Sequence, residues 1–188
     1  MLKYLFDHTR DHYYGNPLAP VELIQYGDFN CEHSAAAYAE IKMLQDKMGN
    51  QLKFVFRHFP LSTIHPMAVD AAVAAEAASL QGELKFWQMH DMIFENQKYL
   101  TTAALSKFAE EIGLNVNSFE TDRRNKKLIW KVTSDFESGI KSGVNGTPTF
   151  FINGHLYNGF HDFENLYQTC KYILTFKGIA LEELKSTG

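Results

Sequence analysis

Apolar and polar residues alternate through Val21-Glu22-Leu23-Ile24-Gln25-Tyr26-Gly27, a pattern that predicts a strand. Residues 34–48 then carry Ala37, Tyr38, Ile41, Leu44 and Met48 at spacings of three and four. Those spacings put the apolar groups on one helical face. Gly49-Asn50 follows, a combination that commonly ends a helix. Leu52-Lys53-Phe54-Val55-Phe56-Arg57 predicts a second strand. Strand, helix and strand within about 37 residues make a parallel crossover unit.

The period then changes. From Pro66 to about Ser142 the signals are helical, and no strand pattern interrupts them. Pro66 suits a first helical position, and Gly82 suits the end of an Ala-rich helix. Phe86, Trp87, Met89, His90, Ile93 and Phe94 predict the apolar side of another helix. Leu105, Phe108 and Ile112 mark a third, ended by Gly113. Trp130, Phe136 and Ile140 fit a fourth, after a basic stretch near 123–127. Strand character returns at Thr149-Phe150-Phe151-Ile152. Asn153-Gly154 is a hairpin-turn signal, with His155-Leu156-Tyr157 as the returning strand. Leu166, Tyr167, Cys170, Ile173 and Leu174 predict a last amphipathic helix. Residues 1–20 read as a polar lead-in ending in the turn-rich Asn16-Pro17-Leu18-Ala19-Pro20. The expected plan is one α/β domain over 1–188. Its sheet-forming parts lie at about 18–62 and 144–177, with an all-helical insertion at about 63–143.

Composition narrows the function. Of 188 residues, 45% are hydrophobic and 21% charged, the balance of a globular protein with a sizeable core. The formal charge of −4, with no basic run standing out beyond the short stretch near 123–127, argues against nucleic acid as the main partner. Two cysteines, Cys31 and Cys170, are too few and too far apart for a disulfide framework or a clustered zinc site. No metal is expected. His8, His12, His58, His65 and His161 are scattered, and Asp70, Glu76 and Glu83 read as solvated helix positions. The apolar part of MLKYLFDHTRDHYY is too short for a signal-peptide core. No apolar run approaches the roughly 20 residues that span a bilayer. A cytoplasmic location is the expectation, or a periplasmic one if a leader has been removed.

Cys31 lies in Phe29-Asn30-Cys31-Glu32-His33-Ser34, between the first strand and the first helix. Unpaired N–H groups and the positive end of the helix dipole meet there. That setting favours a thiolate, and with it nucleophilic reactivity. The polar neighbours Asn30, Glu32, His33 and Ser34 argue against deep burial. Cys170 sits on an apolar helix face and reads as a core cysteine.

Residues 21–34, followed by Gly146-Thr147-Pro148-Thr149-Phe150-Phe151-Ile152-Asn153-Gly154, resemble the DsbA-like thiol:disulfide oxidoreductases. The likeness runs from about Asp11 to Lys177, helical insertion included. It implies a thioredoxin fold with a cis peptide bond before Pro148, facing Cys31. It further implies that Thr147 offers its backbone to an extended, sulfur-linked substrate. His33 stands where periplasmic members often carry histidine, whose imidazolium would stabilise a thiolate. Glu32 opposes it with a like charge.

Two departures limit what carries over. The family's usual site is C-x-x-C, and here Ser34 makes it C-x-x-S. The second thiolate of a dithiol site attacks the mixed disulfide and releases the substrate; a serine cannot. Gln25 stands where the family commonly buries an acid. The expected activity is therefore monothiol exchange or isomerisation, or glutathione-linked reduction. Cys31 forms the mixed disulfide, an external thiol such as glutathione resolves it, and no cofactor is needed. His33 and Ser34 join Cys31 as candidate catalytic residues, and Thr147 and Pro148 as substrate-binding ones. The partners are protein or peptide thiols and disulfides. Two alternatives stand beside this reading: a non-catalytic module binding peptides or thiols in the same groove, and a glutathione transferase-like enzyme.

Overall fold

Strand β2 (Val21–Gly27) is apolar on both faces because both faces are covered. Val21 and Leu23 join one core cluster, Ile24 and Tyr26 the other. Such two-sided burial is what a central strand requires. The computed structural model describes residues 1–186. Its sheet runs β1–β3–β2–β4–β5, with β1 (His12–Gly15), β3 (Leu52–His58), β4 (Thr149–Ile152) and β5 (His155–Leu156). β3 lies parallel to β2, while β4 lies antiparallel to it and β1 antiparallel to β3. The β4–β5 turn sits on Asn153 (φ 47°) and Gly154 (φ 80°), the pair of positive values a two-residue hairpin needs.

Helix α1 (Glu32–Met48) connects β2 to β3. Its alanines favour helix, Glu32 complements the first turn, and Lys47 the last. Ser34, Ala37, Ile41, Leu44 and Met48 form its buried face, and Gly49 (φ 51°) ends it. Five helices separate β3 from β4: α2 (Ala68–Ser79), α3 (Glu83–Glu95), α4 (Thr102–Glu111), α5 (Val116–Asp122) and α6 (Lys126–Lys141). Helix α7 (Phe163–Ser186) follows β5. Alanines in α2 leave room for the aromatic face of α3, where Phe86, Trp87, Met89, His90, Ile93 and Phe94 are all buried. Burying each of the apolar side chains Phe86, Met89, Ile93 and Phe94 is worth about 1.5–3 kcal/mol. Among the described residues, no helix is long and apolar enough to cross a membrane.

Several expectations change. The lead-in at 1–20 contributes β1 and the buried residues Leu2 and Asp11. A short strand of His-Tyr-Tyr-Gly has no apolar alternation to announce it. Gly82 (φ 132°) is the N-cap of α3; α2 has already ended at Ser79. Helix α5 carried no signal, because only Phe119 is buried on it. On α6 the apolar residues misled: Trp130 and Ile140 are 68% and 53% exposed. The face turned inward is Leu128, Val132, Asp135, Ser138 and Gly139.

Candidate active site around Cys31

Strand β2 delivers the chain to a turn, Asp28-Phe29-Asn30, that opens α1. The Asp28 carboxylate is buried and organises this turn. One oxygen accepts the Asn30 N–H (2.8 Å); the other accepts the Leu61 N–H (2.8 Å) and the His65 Nδ1–H (2.7 Å). Asn30 Oδ1 accepts the Met67 N–H at 3.0 Å. From the far side, Gln97 Nε2 donates to the carbonyls of Phe29 (2.8 Å) and Cys31 (2.9 Å). The turn is thus held against the 61–67 loop and the short turn Gln97–Tyr99 that follows α3.

Cys31 is the N-cap of α1, with extended φ −89° and ψ 122°. Its thiol donates to the Thr147 carbonyl at 3.4 Å. The Thr147–Pro148 peptide bond is cis. Cys31 lines a surface groove of about 470 Å³ with His33, Leu61, Ile64, His65 and Thr147. The residue is nonetheless only 4% exposed, against the expectation from its polar neighbours. Of those neighbours, Glu32 and His33 do face solvent, but Ser34 turns fully inward. Ser34 Oγ accepts the Asp28 N–H at 3.3 Å and so serves the backbone of the turn.

Gln25 lies on the β2 face covered by α1, and its Nε2 is buried without a hydrogen-bond partner among the described residues. His90 Nε2 is orphaned in the same way. Both residues border one small enclosed cavity of about 20 Å³. Burial holds His90 below its ordinary pKa, only partly offset by the Asp91 carboxylate bonded to Nδ1 at 2.9 Å. Cys170, on α7, is fully buried, and burial pushes its thiol up to about 11.

A second polar cluster lies away from the groove. Glu76 is 3% exposed, not solvated as its sequence position implied. His58 Nε2 bonds it at 2.8 Å and His12 Nε2 at 3.3 Å; His12 is thus no tail residue. Lys131 Nζ reaches Glu76 at 3.4 Å and Asp135 at 2.6 Å. Burial disfavours a charged Glu76, but Lys131, His12 and His58 outweigh it and hold the carboxyl well below its usual range. His58, Glu76 and Asp135 offer metal-type donor atoms within 4.8 Å of one another. The Lys131 ammonium already supplies the cation between the two carboxylates.

The family model described as "Thioredoxin" matches residues 7–171. Sequence relatives include proteins named "Na(+)/H(+) antiporter NhaA 1". The one from Mycolicibacterium vanbaalenii is 40% identical over 152 residues, 80% of this chain and 24% of the relative. The one from Mycolicibacterium gilvum is 38% identical over 155 residues, 81% and 25% respectively. The chain spans about a quarter of the length of these relatives. A thioredoxin-like oxidoreductase from Silicibacter pomeroyi superposes with a TM-score of 0.73 at 25% identity, covering 86% of this chain and 90% of that one. Wolbachia pipientis alpha-DsbA1 gives 0.83 at 20% identity, covering 94% and 97%. BdbD from Bacillus subtilis gives 0.79 at 21%, covering 90% and 95%. With five strands in one mixed sheet, the helical insertion and residues 7–171 all matched, the chain belongs to the thioredoxin family and has the fold of its DsbA-like members.

Proposed function

We propose that the chain exchanges thiols and disulfides through Cys31 alone. The Cys31 thiolate attacks one sulfur of a disulfide, and that S–S bond breaks as a new one forms to Cys31. The displaced sulfur leaves as a thiol, taking up the proton that Cys31 gave. An external thiol, glutathione by class, then attacks the mixed disulfide and restores Cys31. No second cysteine of this chain takes part. The carrying observation is the position of Cys31: an N-cap on an open groove, bonded to the backbone of the cis-proline loop, with Ser34 in place of a resolving thiol. A buried Cys170 whose thiol is pushed up to about 11 is a poor substitute resolver. Thr147 and Pro148 supply the backbone wall along which an extended peptide lies. The Silicibacter relative, named as an oxidoreductase, lends the reading support.

Mass spectrometry after incubation with oxidised glutathione tests it. One glutathione on Cys31, removed by added thiol and absent from Cys31→Ser, is the expected result. If neither oxidised glutathione nor a cystine-containing peptide modifies Cys31, the proposal fails.

The antiporter-named relatives favour a second reading, in which the groove holds a thiol or peptide without turnover as part of a transport protein. Peptide affinity that survives Cys31→Ser unchanged would select it.

A further inference from the structure

Resting on the exchange reading above, we propose that His65 carries the proton to and from Cys31, with Asp28 as its positioning residue. His65 and Cys31 line the same groove although 34 residues separate them in sequence. Asp28 joins the two segments directly: its backbone carbonyl accepts the Cys31 N–H (3.1 Å), and its carboxylate accepts the His65 Nδ1–H (2.7 Å). The carboxylate is wholly buried, while the imidazole is 20% exposed. Bonding Nδ1–H to a carboxylate fixes the tautomer, so Nε2 carries the lone pair. No hydrogen bond within the protein engages that Nε2 among the described residues. A carboxylate orienting an imidazole in the groove that holds a thiol is an arrangement by which a nucleophile can obtain its base. His33 shows no such anchor: it is exposed, and among the described residues no side chain hydrogen-bonds its ring.

The proton path balances. The Cys31 S–H, which rests on the Thr147 carbonyl, turns and passes its proton to His65 Nε2. The thiolate attacks the disulfide, the scissile S–S bond sends its electron pair to the departing sulfur, and His65 returns the proton to that thiolate. No electron donor beyond the two sulfurs is needed, and His65 ends as it began. The same ring accepts the proton of an incoming thiol in the resolving step.

The full chain, with oxidised glutathione as probe at pH 7, provides the test; the rate of adduct formation at Cys31 is followed by quenched mass spectrometry. General-base assistance is worth 10²–10⁴-fold in typical enzymes, and less for a thiol, which is already acidic; a loss of about tenfold is expected for His65→Ala. Added imidazole should restore much of that rate. His65→Asn keeps an N–H for Asp28 and lacks Nε2, so it should be as slow as His65→Ala while holding the loop. His8→Ala, which removes an exposed imidazole outside the groove, should stay within about twofold of the parent. A wild-type rate in His65→Asn, or a slow His65→Ala that imidazole leaves unchanged, overturns the assignment. Failure of the unmodified protein to acquire glutathione overturns the exchange reading itself, and is distinguished by needing no variant.

Discussion

His12 provides a quantitative test of the cluster beneath the helical insertion. Its ring stacks on Phe86 (centroids 3.7 Å apart) and bonds Glu83 through Nδ1 (2.8 Å) and Glu76 through Nε2 (3.3 Å). Burial opposes its charged form and Lys131 repels it, yet the two carboxylates prevail and raise its pKa from 6.5 to about 9. A group raised on folding stabilises fully below its unfolded value and loses that contribution as pH climbs through the folded one. The window is therefore pH 6.5 to about 9. The interval is about 2.5 pH units; at about 1.36 kcal/mol each, His12 contributes about 3 kcal/mol below pH 6.5 and nothing well above 9. Urea unfolding from pH 6 to 10, with the parent compared to His12→Gln, reads the contribution of this residue by difference. The parent should fall by about 3 kcal/mol relative to the variant across the window. Parallel curves would refute the ion pairs as drawn. Glu76 acts in the opposite sense: its depressed carboxyl contributes above its unfolded value of 4.5, and that contribution is lost on acidification. Stability should thus peak between the two limbs.

Lys131→Met leaves Asp135 without its 2.6 Å partner and Glu76 with its histidines alone, and should cost about 3 kcal/mol by denaturant unfolding. A loss below about 1 kcal/mol would show that the ammonium is not what compensates these carboxylates. Gln25→Leu removes a buried amide whose Nε2 is unpartnered, so it should be neutral or stabilising by about 1 kcal/mol. Destabilisation beyond about 2 kcal/mol would mean that the amide is satisfied in solution. Gly139→Ala on α6 places a methyl 2.7 Å from the Phe59 ring and 3.0 Å from that of Tyr26, inside a packed core. Overpacking of that kind should cost about 1–3 kcal/mol in thermal or denaturant unfolding, and an unchanged midpoint would show that Phe59 yields freely.

How far the fold could be read from the chain followed the physics of each element. β2, α1 and β3 were legible because each buries enough apolar residues for its pattern to show, although β2 also buries Gln25 and β3 buries Lys53, Arg57 and His58. Helix α3 was legible for the same reason. Helix α6 existed where expected, but its inward face was not readable. Asp135 and Ser138 are buried as hydrogen-bonding partners, and Gly139 because nothing larger fits, while Trp130 lies in solvent. Hydrophobic periodicity cannot find a face built from polar network residues. Strand β1 was hidden by its length, and by His12, whose burial is tolerable only because carboxylates from α2 and α3 reach it.

The site divides along the same line. Cys31 was visible because a strand-to-helix junction is a local pattern, and Ser34 and Gln25 were visible as departures from a local motif. Asp28 and His65 were not, since they lie 37 residues apart and meet only through the fold. That difference bears on how a one-cysteine site can work. In a dithiol site, on the family resemblance, a buried acid beneath the sulfur serves the second thiol. Here Gln25, a neutral amide, stands at the position of that acid, and Ser34, at the position of the second thiol, is spent on the turn's backbone. Neither of those two positions therefore offers an acid or a thiol to handle the proton. On the proposal above it falls to His65, held by Asp28 on the groove that Cys31 also lines.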